Sequence, residues 1–224
     1  VPVNGGTIVK EQVHEIADTQ LAGIFAMAKL AESREDDMGS HLERVRTFCR
    51  LLSDKLSRHS RYGKEIDSYF TDRIYSASPL HDIGKAAIPD HILDKCGSLT
   101  REEFTIMKSH ADHGARTLEA FRHKYPRSGI LSMGIAISRH HHEKWDGSGY
   151  PMGLAGEDIP LAARIMAVAD VYDALRSDRC YKRAFSHEYS CKVIMEKSGS
   201  HFDPEIVSAF ADLQEDFQSA VSGL

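Results

Sequence analysis

Between residues 42 and 56 the apolar side chains fall at Leu42, Val45, Phe48, Cys49, Leu52 and Leu56, three or four residues apart. That interval is the repeat of one helix face; a strand, alternating every second residue, would scatter the same side chains over both of its faces. The pattern recurs. Val9, Val13, Ile16, Leu21, Ile24 and Ala28 carry it through residues 7–33, and it returns over 66–80, 112–123, 129–142 and 161–175. No alternating strand, internal repeat or low-complexity tract interrupts the series. The expectation is an all-α protein, with a helical bundle over residues 35–224 and a helical N-terminal extension over residues 1–34.

Capping and breaking residues set the helix ends. Thr100 followed by Glu103 is the capping-box pattern, and starts a helix predicted to carry Phe104, Met107 and His110. Tyr125-Pro126 separates two helices, Gly147 to Gly156 reads as a loop, and Asp203-Pro204 opens a last helix with proline at its first position. The N-terminal helix fits two roles, packing on the domain or joining it to a regulatory segment, and the start at Val1 leaves an upstream sensor open.

Bulk properties exclude several classes. A net charge of −5 gives a nucleic-acid polymer no global attraction, so a phosphate ligand must be captured locally, by metal ions or a few placed cations. No apolar run approaches the roughly 18 residues of a membrane span. The cysteines Cys49, Cys96, Cys180 and Cys191 form no CxxC pair. That argues against a thiolate zinc site or a disulfide framework and for a reducing, cytoplasmic setting.

The chemistry gathers elsewhere. His81 and Asp82 are adjacent, followed by Gly84 and Lys85. Imidazole nitrogen with carboxylate oxygen suits Zn, Mn, Fe or Ni, and a carboxylate has two oxygens with which to bridge two ions. His110 lies on a later helix, and His141 and His142 end another. Asp170 sits in the apolar run 166-MAVADVYDAL-175, where a charge is costly unless paired or bound to a cation. His41 follows Asp37 by four residues, so one helix face can present both. A helical bundle can converge these residues in its core. His140 fits a third ligand less well, because consecutive helical residues diverge by about 100°.

Together, 80-LHDIGKAAIPDHIL-93, 96-CGSLTREEFTIMKSH-110, 141-HHEKWDGSGYP-151, 156-GEDIPLAARIMAVADVYDAL-175, 179-RCYK-182 and 202-FDPEIV-207 resemble the HD-GYP family of the HD phosphohydrolase superfamily. The resemblance spans roughly residues 35 to 210. It implies an all-helical fold with two or three divalent ions, iron or manganese, and hydrolysis of cyclic di-GMP to pGpG or GMP in bacterial signalling. It implies metal ligation by His81, Asp82, His110, His141, His142 and Asp170, with Asp82 bridging, and by His41, whose family counterpart also precedes an Arg by three residues, here Arg44. Where trinuclear members carry Glu, this chain has the shorter Asp37, which leaves two ions or three open.

Lys85, Arg179 and Lys182 match positions that contact substrate phosphates, and Tyr150 belongs to the family's Gly-Tyr-Pro signature. Metals would lower the pKa of a bridging water and neutralise charge growing on the phosphate, with Asp82 and Lys85 as the catalytic residues. Trp145 could stack on a base or simply pack. The resemblance also implies GGDEF-type or other signalling partners and a homodimer. Cyclic GMP-AMP as substrate and a catalytically silent sensor are the alternatives.

Overall fold

The structure is a computed structural model that describes residues 15, 19, 21–31, 38–58, 61–178 and 183–222. Its helices are α1 (21–31), α2 (Met38–Ser57), α3 (Ser68–Ala77), α4 (Asp90–Leu93), α5 (Arg101–Lys108) and α6 (His110–Arg122), followed by α7 (Gly129–His140), α8 (Leu161–Arg176), α9 (His187–Glu196), α10 (Pro204–Ala211) and α11 (Gln214–Ser222). Short 3-10 turns lie at Ser78–Leu80, Ile83–Ala87 and Gly156–Asp158. Among the described residues the sole β feature is an isolated bridge between Ser198 and Phe202. The all-α expectation holds.

α8 is the central element. Every residue from Leu161 to Ala169 is buried, as expected of a helix that is apolar on all sides and enclosed by others. It lies against α2, α7, α9 and α10. Behind it Phe48 of α2 stacks on Phe217 of α11 at 4.3 Å, and Tyr172 of α8 meets Phe217 edge-on at 5.1 Å. A smaller apolar cluster joins Ile24 of α1 to Leu80, Ala115, Leu118 and Ile135. Ile24 and Ala28 therefore seat residues 21–31 on the bundle, while Met27 and Leu30 face outward.

The local signals place several ends correctly. The Thr100–Glu103 capping box forms in both directions, and Asp203 caps α10 by accepting from the Glu205 amide. Three expectations need correction. His110 does not continue the helix of Phe104 and Met107, because α5 closes at Lys108. The Ser109 amide donates to the carbonyl of Ile106, three residues back, and the Ser109 hydroxyl donates to the same oxygen at 2.6 Å. Such i to i−3 bonding tightens the turn, and His110 opens α6 instead.

α10 is not the last helix, since the chain breaks at Asp212–Leu213 and resumes as α11, burying Phe217. Finally, Cys49 and Cys191 are free, but Cys96 is disulfide-bonded. No other cysteine is near Cys96 in sequence, so the spacing that rules out local pairs could not reveal this bond. Asp37, Arg179 and Lys182 lie outside the described residues.

Candidate metal centre

Five segments deliver the predicted residues to one place. Ser78–Leu80 forms a 3-10 turn with Pro79 at its second position, and this turns the chain so that His81 and Asp82 follow at its end. The next turn, Ile83–Ala87, lies flat on α6. A Cβ at Gly84 would collide with the His110 carbonyl oxygen and the Gly114 amide nitrogen. Only glycine allows this approach, which sets Asp82 opposite His110. α7 ends with His141 as its C-cap, so His141 and His142 leave the helix facing the same space. α2 contributes His41, and α8 contributes Asp170.

The ligand atoms form two adjoining groups, each gathered within 4.8 Å: Asp82, His110, His141 and His142 in one, His41, His81 and Asp170 in the other. Asp82 faces both. Its Oδ1 is 3.1 Å from His110 Nε2 and 3.6 Å from His141 Nε2, and its Oδ2 is 3.3 Å from His81 Nε2. His81 Nε2 lies 3.9 Å from Asp170 Oδ1, which closes the second group.

The other edge of these rings fixes their orientation. His81 Nδ1 lies 3.0 Å from the Ser78 carbonyl oxygen, His110 Nδ1 2.7 Å from that of Met107, and His141 Nδ1 3.0 Å from that of Ile137. A carbonyl only accepts, so Nδ1 carries the proton and Nε2 turns a lone pair towards Asp82. Buried Asp82 Oδ1, His110 Nε2 and His141 Nε2 complete no hydrogen bond with acceptable geometry. Several buried lone pairs crowded onto one point cost free energy that a divalent cation would relieve. The donor set, neutral imidazoles with a shared carboxylate, suits such a cation.

Electrostatics agree with that fit. Burial opposes ionisation of Asp82, but the Lys85 ammonium, with the polar rings of His81, His110 and His141 around it, outweighs it and holds the carboxyl well below its usual range. Lys85 Nζ stands 2.8 Å from Asp82 Oδ2. Burial lowers the pKa of His141 and His142, so both stay in the neutral, ligating form to lower pH than an exposed histidine.

Two functional candidates escaped the sequence reading. Asp173 is fully buried and holds His41 Nδ1 at 2.7 Å; it also accepts from Arg44 Nε at 2.6 Å, from Arg44 Nη2 at 3.0 Å and from the Ser177 hydroxyl at 3.2 Å. The argument that singled out Asp170 applied equally to Asp173, in the same apolar helix. Glu143 is also buried, and its two carboxylate oxygens accept from the amides of Met152 at 2.8 Å and Leu154 at 3.1 Å. An acid between a histidine run and a glycine-rich loop was the available signal.

Those bonds fold the loop back onto the centre. The Tyr150 amide donates to the His142 carbonyl at 3.2 Å, and Gly149 lies so close to Glu143 and Lys144 that a Cβ there would clash with their backbone. The Tyr150 ring sits 4.7 Å from the His142 ring, inclined by 31°. The Tyr150–Pro151 peptide is cis. Trp145 packs instead, with the Arg164 guanidinium 5.8 Å over its ring and its amide bonded to the His201 carbonyl. His140 points aside, with Nδ1 3.8 Å from Glu143.

A helical bundle that buries two adjoining His/Asp groups around one shared carboxylate is a divalent-metal protein. The chain matches the HD domain family over residues 26–206, and it belongs to that family. The HD-GYP resemblance drawn from its motifs holds as well. It is 44% identical over 204 residues to a cyclic di-GMP phosphodiesterase of Vibrio cholerae, an alignment covering 91% of this chain and 42% of the relative. A 3'3'-cGAMP-specific phosphodiesterase of the same organism is 36% identical over 203 residues, covering 91% of this chain and 36% of that protein.

The chain thus spans less than half the length of these curated relatives. Among solved structures, an HDG"Y"P protein from Bdellovibrio bacteriovorus superposes with a TM-score of 0.57 at 21% identity, covering 78% of this chain and 51% of that chain. That likeness concerns the fold. No helix among the described residues is long and apolar enough to cross a membrane.

Proposed function

We propose that the chain is a divalent-metal-dependent phosphodiesterase that hydrolyses cyclic di-GMP to pGpG, GMP or both in second-messenger signalling. Its ions, two or three, would be iron or manganese, held by His41, His81, Asp82, His110, His141, His142 and Asp170, with Asp37 as a further candidate ligand. The observation that carries this reading is Asp82, whose two oxygens face two separate groups of imidazoles. A phosphodiester resists attack because its charge repels nucleophiles and its alkoxide leaves poorly. Divalent ions bound there answer both problems, activating water near neutral pH and neutralising charge on the phosphate.

The chain's own groups do the rest. Lys85, beside Asp82, adds a positive charge at the rim where a phosphate would enter. Tyr150 is raised in pKa by burial, and further by the Asp82 and Asp170 carboxylates, so its hydroxyl keeps its proton and acts as a donor rather than a base. Arg179 and Lys182 would clamp the second phosphate, an assignment that rests on the resemblance alone. GGDEF-type partners and a homodimer have the same footing, and a cytoplasmic setting is proposed from the absence of any CxxC pair.

The test loads the purified chain anaerobically with manganese or iron and separates the products formed from cyclic di-GMP. Asp82→Ala and His110→Ala should each abolish turnover while the helical circular dichroism persists. Wild-type rates in either variant would overturn the assignment. A second reading, hydrolysis of cyclic GMP-AMP, is favoured by the relative named for that substrate, and a parallel assay on that compound separates the two.

A further inference from the structure

α5 buries none of its residues, yet it lies beside the metal centre. Its Phe104 is 48% exposed. The ring is not isolated. It meets Tyr150 edge-on at 6.2 Å, and Tyr150 in turn lies against His142 of the His/Asp cluster. One turn further along α5, Lys108 holds its ammonium 5.3 Å from the centre of the Phe104 ring and 5.8 Å from that of Tyr150. Lys108 makes no ion pair with a carboxylate among the described residues. Aromatic surface and a donor-only cation therefore adjoin the His/Asp cluster through Tyr150.

Resting on the phosphodiesterase reading, we propose that Phe104 and Lys108 form the subsite for a purine base of the cyclic dinucleotide, with Phe104 as stacking surface and Lys108 as the group that favours guanine. An exposed aromatic ring beside a phosphate-binding centre is what a nucleobase needs in order to leave water while its phosphate reaches the metals. Stacking is tolerant of which purine arrives. Lys108 is not. An ammonium only donates, so it matches the O6 and N7 acceptors of guanine and opposes the N6 donor of adenine. Neither residue touches the ligand cluster, so both are binding residues and not catalytic ones. This differs from the phosphate contacts of Lys85, which would hold any cyclic dinucleotide alike.

The experiment uses the manganese-loaded protein and hydrolysis-resistant phosphorothioate analogues of cyclic di-GMP and cyclic di-AMP, with binding followed by calorimetry. The manganese content of each variant is measured alongside by elemental analysis. Phe104→Ala should weaken both analogues by about tenfold, the scale of one base–aromatic stack. Lys108→Met should weaken the guanine analogue by about tenfold and leave the adenine analogue within about twofold, with Lys108→Arg restoring the preference. Manganese content should stay at the wild-type level in all three variants.

Unchanged binding in Phe104→Ala overturns the subsite. So does a parallel loss of manganese, which would mean that α5 merely supports the metal centre. A wild-type chain that binds neither analogue overturns it too. If binding responds as stated but native cyclic di-GMP is never cleaved, the subsite stands and the phosphodiesterase reading falls.

Discussion

Asp173 and Asp82 are both buried carboxylates, and they spend their charge differently. Asp82 directs its oxygens at a cluster of lone pairs, whereas every contact of Asp173 is a donor: His41, Arg44 and Ser177. Burial opposes its ionisation, but the bonds from His41 and Arg44 prevail and hold its carboxyl below the ordinary range. Its physical task is to fix the His41 ring so that Nε2 faces His81 and Asp170. Asp173→Asn keeps the shape but leaves the Arg44 guanidinium buried without its counter-charge. The expected cost is about 3–5 kcal/mol, read from denaturant unfolding. Metal content should fall by about one ion per chain, measured by elemental analysis. A variant with full metal content would show that His41 needs no such partner.

The loop from Gly147 to Gly156 shows how an element without regular structure is made specific. Its amides are consumed by Glu143, by the His142 carbonyl and by the Trp145 carbonyl, while the Trp145 and Asp146 amides bond to the turn at Ser200 and His201. Composition marked it as a loop, and the glycines marked it as tight. Which residues it would bond could not be read, because the partners at 200–201 are some fifty positions away along the chain. Glu143→Gln replaces one accepting oxygen with a donor that faces an amide N–H. Exchange at the Met152 and Leu154 amides should quicken about 10- to 100-fold, as seen by hydrogen-exchange mass spectrometry. No change at those two amides would place the loop's anchor elsewhere.

Across the molecule, one buried cation ties together parts that the sequence keeps far apart. Arg164 of α8 donates to Asp203 at 2.6 Å, to the Tyr62 hydroxyl at 3.2 Å and to the Ile159 carbonyl at 2.9 Å, joining the α2–α3 connection, the start of α8 and the start of α10. Asp203→Ala would strand that guanidinium and remove the cap of α10. Unfolding should become easier by about 3–5 kcal/mol in guanidinium chloride. A shift below about 1 kcal/mol, the scale of a lost cap alone, would assign Asp203 a local role.

The same contrast separates what was legible in the chain from what was not. Helical periodicity gave the fold class, because the three-to-four-residue repeat is set by backbone geometry and needs no partner. Spaced motifs brought forward His41, His81, Asp82, His110, His141, His142 and Asp170 as candidate ligands, because imidazoles and carboxylates are what metal chemistry asks for whatever surrounds them. The division of these ligands into two groups across Asp82 was expected only through resemblance, and the orientation of each ring was not expected at all. Nor were Asp173, Glu143 and the Phe104–Lys108 pair. Each depends on residues brought within hydrogen-bond or ring distance by helix packing, such as the contact of Gly84 on α6. Distances of that kind are properties of how helices meet, and no local pattern along one helix contains them.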